Sequence, residues 1–353
     1  MKEKCYNKDF TKGKIYIHLF TLSFPLIIGN ILQQLYNTID AFVVGHFAGS
    51  KEFAAIGISG TIMNLFLFVI VGECSGFSIL FSHFYGLKDV EMLHRQHFTS
   101  LSLGLISSII MSILGIFSLK YILYLIHTPY SLYHYAYVYL WWIFISLPAS
   151  FLYNMYASAL RSSGDTIAAL IILVIAVTFN LVLDIIFVSY MNMGICGAAM
   201  ATAFTQFISA ALCICYLFYF HKEFLFNLKD CKIGRTIIIT TIKFSLVTAI
   251  HQAGLYVGKV LIQGIVNSGG EDIISAYTAS TRIEGFANSF GDSISSSTSI
   301  LVSHNNSFGN YKRVNKTFLC SIKSTLLLGA ICTFILFFTS NTTIGLLQIS
   351  SGS

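Results

Sequence analysis

LFTLSFPLIIGNILQQLYNTIDAFVVGHFAG, residues 19–49, is a helix-length apolar run with one carboxylic acid inside it, Asp40. Solvating a lone carboxylate in hydrocarbon costs at least about 2.5 kcal/mol even on lenient insertion scales, so Asp40 must be paired, hydrated or neutralised. That makes it a candidate functional residue. The same run holds Pro25 and Gly29, which point to a helix kink, and a polar stripe of Asn30, Gln33, Gln34, Tyr36 and Asn37 suited to lining a cleft.

The rest of the chain is equally apolar. With 55% hydrophobic and 10% charged residues and a mean hydropathy of +0.75, it has too little polar surface for a soluble protein. Its apolar stretches repeatedly reach the roughly 20 residues that span a bilayer, which predicts an all-α polytopic membrane protein. Nine spans are expected, at about 15–45, 54–83, 98–124, 133–159, 167–190, 195–220, 236–266, 272–302 and 317–340. Fifteen Lys and Arg fall in segments on one side of these spans, whereas the other side holds only Lys51 and Lys120. The expectation is a multi-pass protein of the cell (plasma) membrane with a cytoplasmic N-terminus, inserted by its own first span. A net charge of +6 scattered over short loops is explained by this orientation, so nucleic acid is not an expected partner.

Soluble enzymology finds little support. The eight cysteines form no CxxC pair, and Glu91, His94 and His97 read as a solvated helix face rather than a metal site. No nucleophile triad or phosphate-binding glycine loop is present. No cofactor is expected.

A weak internal repeat organises the chain. A shift of 219 residues aligns Ile31 with Ile250, Gln33 with Gln252, Gly45 with Gly264, Gly72 with Gly291 and Ser78 with Ser297, and sets Glu73 opposite Asp292. An even number of crossings per unit preserves direction, so these are parallel repeats of the type transporters use. The expected division is a six-helix N-lobe at 1–220, a cytoplasmic inter-lobe loop at 221–235 and a partial C-lobe of three helices at 236–353.

Depth in the membrane supplies an independent clue. Asp40 lies five residues before the outer end of span one, Asp184 six before that of span five, and Thr202 seven after the outer start of span six. At about 1.5 Å per residue these agree within one helical turn. Asn180 sits one turn from Asp184, as Tyr36 and Asn37 do from Asp40. Two carboxylates with amide and hydroxyl oxygens make a hard-oxygen set suited to a proton or Na⁺, with polar interhelical glue as the alternative.

Several stretches together carry a family resemblance: FPLIIGNILQQLYNTIDAFVVG (24–45), LRSSGDT (160–166), NLVLDIIFV (180–188), MGICGAAMATAFTQ (193–206) and SAYTASTRIEGFANSFG (275–291). In this order they resemble the multidrug and toxic compound extrusion, or MATE, family. The resemblance implies two six-helix lobes around a central cleft. It also implies multidrug efflux, the antiport of cationic or amphipathic organic compounds against H⁺ or Na⁺ by alternating access. Relatives place the first-lobe cation site on residues that correspond here to Asp40, Asn180, Asp184 and Thr202. The family has twelve helices, so nine spans imply a fragment, a truncated product or a decayed copy. A monomer is the expected unit.

Four further residues carry expectations. Lys259, the repeat partner of Asp40, reads as a cleft-lining tethered cation or as a side chain snorkelling to the outer interface, and its place near the helix end favours snorkelling. Glu73 and Asp292, about ten residues from the cytoplasmic ends of their helices, suggest paired acids lining an inner cavity. Glu284, two residues from Arg282, shares no face with it, so any partner comes from another helix. A lipid-linked oligosaccharide flippase of the same superfamily is the alternative function, disfavoured by only four basic residues within the spans. A membrane-embedded enzyme is the more distant one.

Overall fold

The computed structural model of the chain describes residues 10–126, 128–225, 234–267 and 271–349. Nine α-helices run through them: α1 (Ile15–Phe47), α2 (Ser50–Leu87), α3 (Val90–Leu125), α4 (Tyr130–Ser162), α5 (Thr166–Asp184), α6 (Gly194–Phe220), α7 (Arg235–Asn267), α8 (Glu271–Ser307) and α9 (Tyr311–Ile349). Every expected span is a helix, and among the described residues eight helices are long and apolar enough to cross a membrane, α8 not being one of them. The serines of α8 bond to their own backbone one turn back. Ser289 Oγ donates to the Gly285 carbonyl at 2.9 Å, Ser293 to Ser289 at 2.6 Å and Ser297 to Ser293 at 2.8 Å. Hydroxyls satisfied this way need no water, and their small size lets α8 pack against α1, α2 and α9.

Short signals set the helix ends around α4, α5 and α6. In LRSSGDT, Gly164 adopts φ 87° to close α4, and the Asp165 carboxylate accepts from the Ala168 amide at 3.2 Å to cap α5. Across the bundle, Glu52 of α2 accepts from the Ile195 amide and caps α6. Helix α5 continues past Asp184 into a π-helical turn, Ile185–Tyr190.

The first six helices are sorted for lipid. On α3 the buried positions include Ser100, Gly104, Ser108 and Ser112, while Ile106, Ile110, Leu114 and Phe117 face outward, Phe117 with 84% exposure. Small residues therefore meet the neighbouring helix and branched apolar ones meet hydrocarbon. At Gly104 a Cβ would lie 2.1 Å from the ring of Phe151 on α4, so the α3–α4 seam requires glycine there.

The last three helices lie against α1 and α2, and the contact is tight on one side only. Near the N-terminal face, Gly72 and Gly76 of α2 meet the backbone of α7 at Thr248 and Ser245. Ser303 of α8 donates to the Ile79 carbonyl at 2.7 Å. The Arg313 guanidinium holds the carbonyls of Phe10, Lys12 and Gly13 at 3.2, 2.9 and 2.9 Å. Toward the opposite face, Gly57 and Gly60 of α2 and Gly254 and Gly258 of α7 border open space. Among the described residues the α2–α7 backbones thus approach most closely at Gly72 and Gly76, and the glycines beyond meet no neighbouring atom.

After α6 the chain turns through a 3-10 segment, Lys222–Phe224, and residues 226–233 of the expected inter-lobe loop lie outside the described residues. His221 bridges two acids here, with Nδ1 2.8 Å from Glu223 Oε1 and Nε2 3.2 Å from Asp165 Oδ2. Burial disfavours its imidazolium, yet the hydrogen bonds and charges of Asp165 and Glu223 outweigh this and raise its pKa to about 9. Asp165 is moved the other way: burial alone would raise it, but bonds from His221, the Ala168 amide and Tyr216 bring it below its ordinary value. A raised histidine pKa stabilises the fold fully below the unfolded value of 6.5 and loses that contribution as pH rises through about 9. The purified protein should therefore show a falling Tm between pH 7 and 10 that is flatter in His221→Gln; parallel curves for the two would mean that the His221 bridge between Asp165 and Glu223 does not carry the pH dependence.

Candidate functional site

Parallel register brings the two aspartates together. Helices α1 and α5 run in the same direction, and Gly29 of α1 packs on Leu170 and Leu173 of α5. Eleven residues further along, Asp40 on α1 falls level with residues 181–184 on α5. Asp40 is 6% exposed, Asn180 1% and Asp184 1%. The Asp40 and Asp184 carboxyls come within hydrogen-bond range of each other.

No donor answers them. Asp40 Oδ1, both Asp184 carboxylate oxygens and both polar atoms of Asn180 have no hydrogen-bond partner among the described residues. Ionised carboxylates only accept, so facing one another they supply no bond, and a buried pair of this type calls for a cation or a shared proton. Thr202 approaches through Tyr36: Tyr36 Oη and Thr202 Oγ1 share a hydrogen bond at 3.2 Å. The residues aligned by depth thus sit at one locus between α1, α5 and α6.

Tyr139 was not singled out by the sequence. It is buried on α4, its hydroxyl 3.8 Å from Met63 Sδ, and it lies within electrostatic reach of both Asp40 and Asp184. Its depth was the available signal, since it lies nine residues after the far-face start of α4. Among 19 tyrosines that signal did not stand out.

The other expected residues divide between cleft and lipid. Pro25 is buried inside α1, which continues through it as a single helix. Gln33 is half-buried, the Gln34 amide packs on Gly285 of α8, and Asn37 is exposed. Asn30 donates to Ser293 Oγ at 3.0 Å, tying α1 to α8.

Two expectations need correction. Lys259 does not snorkel: its ammonium lies 3.1 Å from Glu284 Oε1, because α8 presents a carboxylate at its depth. Glu284 accordingly has its partner on another helix, while the Arg282 side chain lies outside the described residues. Glu73 and Asp292 are not a pair. The Glu73 carboxylate accepts from Ser107 Oγ of α3 at 2.8 and 2.9 Å, inside the first six helices, whereas Asp292 is exposed near Lys259 and His251. Repeat-equivalent positions share a depth but not the direction in which they point.

The MatE family profile matches residues 25–186 and 248–351. The chain belongs to the MatE family. This MatE chain is 29% identical over 309 residues to the probable multidrug resistance protein YpnP of Bacillus subtilis, covering 87% of the chain and 68% of the relative. It is 22% identical over 341 residues to the multidrug export protein MepA of Staphylococcus saprophyticus, covering 96% and 74%. Among solved structures it superposes on an outward-facing multidrug resistance MATE family transporter with a TM-score of 0.91 at 20% identity, covering 99% of this chain and 78% of that one. A MOP superfamily transporter from Pyrococcus furiosus, described as having a binding pocket of reverse polarity, gives 0.89 at 20% identity, covering 98% and 76%. The MatE fold therefore accounts for the packing of the nine described helices, and the two relatives named above are described as a probable multidrug resistance protein and a multidrug export protein.

Proposed function

We propose that this chain is a secondary active exporter of cationic or amphipathic organic compounds, driven by H⁺ or Na⁺ moving inward through the Asp40–Asp184 locus. The observation that carries this reading is the buried carboxylate pair with no hydrogen-bond donor. A proton shared between the carboxyls satisfies it, and so does Na⁺ bound by the oxygens of Asp40, Asn180, Asp184, Tyr36 and Thr202. No other cofactor and no catalytic residue is proposed.

Binding a cation removes the repulsion between Asp40 and Asp184, so α1 can settle more closely on α5 and α6. Pro25 lacks the amide that would bond the preceding turn, which makes it the place where α1 bends. The movement narrows the cleft beside Gln33, Gln34 and Asn37, and substrate leaves on the open side. Substrate in turn favours the cation-free state, and that mutual exclusion is antiport. The distribution of Lys and Arg supports a cytoplasmic N-terminus in the plasma membrane, with the open side outward. Residues 1–220 form the coupling lobe in this reading, and 236–353 the facing partial lobe. All coupling groups come from one chain, so a monomer suffices.

Proteoliposomes carrying the purified chain and an imposed H⁺ or Na⁺ gradient test the proposal. Ethidium should move against its own gradient with one of the two ions. Movement equal to protein-free liposomes with both ions would overturn the reading.

A further inference from the structure

Across the cleft from the carboxylate pair, the helices α2, α7 and α8 already hold an ammonium, and it belongs to the chain. Lys259 Nζ sits 3.1 Å from Glu284 Oε1 and 5.5 Å from the centroid of the Tyr256 ring. That ring is itself stacked on Phe68 of α2, with centroids 4.1 Å apart and planes at 20°. Asn288 Nδ2 donates to Glu284 Oε1 at 3.1 Å and fixes the carboxylate. Eight residues beyond Glu284 on α8, Asp292 adds a second acid within electrostatic reach of Lys259, with the His251 imidazole also facing it.

A carboxylate beside stacked aromatic faces is the chemistry that recognises organic cations, because charge attraction and the ring quadrupole act on the same ligand. Here that set is half-open, with the Lys259 side chain 34% and the Glu284 side chain 47% exposed. Asp292 gives the one lysine a second carboxyl within electrostatic reach, so Lys259 has an alternative partner when it leaves Glu284. An incoming monovalent cation can take Glu284 and the Tyr256 face as the lysine turns toward Asp292. The repeat adds a reason for a lysine at this point: it occupies the position equivalent to Asp40, so an aspartate in one half corresponds to a built-in cation in the other.

We propose that Lys259 is a tethered stand-in for substrate, and that monovalent organic cations bind by displacing its ammonium from Glu284 and from the Tyr256 ring that stacks on Phe68. This rests on the transport reading for its purpose, but its test does not require transport. The probe is tetraphenylphosphonium, titrated at equilibrium into the full chain in nanodiscs. Lys259→Met keeps the stem and removes the competitor, so affinity should rise about tenfold; Lys259→Arg should stay near wild type, and Glu284→Gln should bind about tenfold more weakly. A wild-type readout stands beside the variants: the probe should speed reductive methylation of Lys259, followed by mass spectrometry, because it frees the amine. Unchanged or weaker binding by folded Lys259→Met, or methylation that the probe leaves unchanged or slows, would overturn the proposal. Gradient-driven efflux of the same probe separates the two readings. Competition without efflux removes the transporter and leaves the site; efflux without competition removes the site alone.

Discussion

Asp40→Asn should reduce gradient-driven efflux to leak while leaving the chain folded. Asparagine keeps the shape of aspartate and can donate to Asp184, so a buried group that lacks a partner gains one, and Tm should not fall. It cannot exchange a proton or balance Na⁺, so the α1–α5 contact is held in one state and the cycle stops. A loss of about 100-fold or more in initial rate is expected, since a single locked step blocks every turnover. Asp184→Asn should match it. The double variant should be no worse than either single one, because groups acting as one unit are not additive. Stopped-flow dye release from proteoliposomes, read beside Tm, checks all three; a double variant whose loss is the product of the singles would mean two separate functions.

Gly76→Leu should be nearly as damaging, by a different route. A Cβ at Gly76 would lie 2.6 Å from Ser245 Cα and 2.7 Å from the Phe244 carbonyl carbon. These are backbone atoms, so relief requires α2 and α7 to separate. The contact lies toward the N-terminal end of the bundle, where in the proposed cycle it would seal one side of the cleft. With leucine there the seal parts, efflux falls at least about tenfold, and the crevice opens to the N-terminal side. In a background freed of the eight native cysteines, Ser245→Cys should react with a membrane-impermeant maleimide about tenfold faster when Gly76→Leu is added. Gly76→Ala should give a smaller shift of the same sign. Equal labelling rates in the glycine and leucine backgrounds would mean that α2 and α7 do not form the seal.

What could be read beforehand was depth along each helix, and what could not was the direction around it. Apolar length accounts for eight of the described helices; α8 falls short of it, and its serines fit the bundle through their i−4 bonds. Depth also placed Asp40, Asn180, Asp184 and Thr202 in one plane, and the Gly29 contact explains why α1 and α5 keep that register. Lys259 shows the limit. Its distance from the helix end pointed to the lipid interface, but its rotation faces α8, and only the fold displays Glu284. Glu73 and Asp292 failed as a pair for the same reason. The clasp of Arg313 on Phe10, Lys12 and Gly13 joins residues some 300 apart and has no local signature. Neither does the π-helical turn after Asp184, although such turns concentrate at functional sites.

Competition between a cation at Asp40–Asp184 and an organic cation in the cleft is the centre of the account, and it is measured most directly without transport. Tetraphenylphosphonium is added to purified chain in weakly buffered nanodiscs, and the H⁺ or Na⁺ released per molecule bound is counted with a pH indicator and with radioactive Na⁺. The wild type should release close to one cation for each probe bound, and Asp40→Asn/Asp184→Asn should bind the probe and release none. Equal release from both proteins would place the coupling elsewhere and contradict the account.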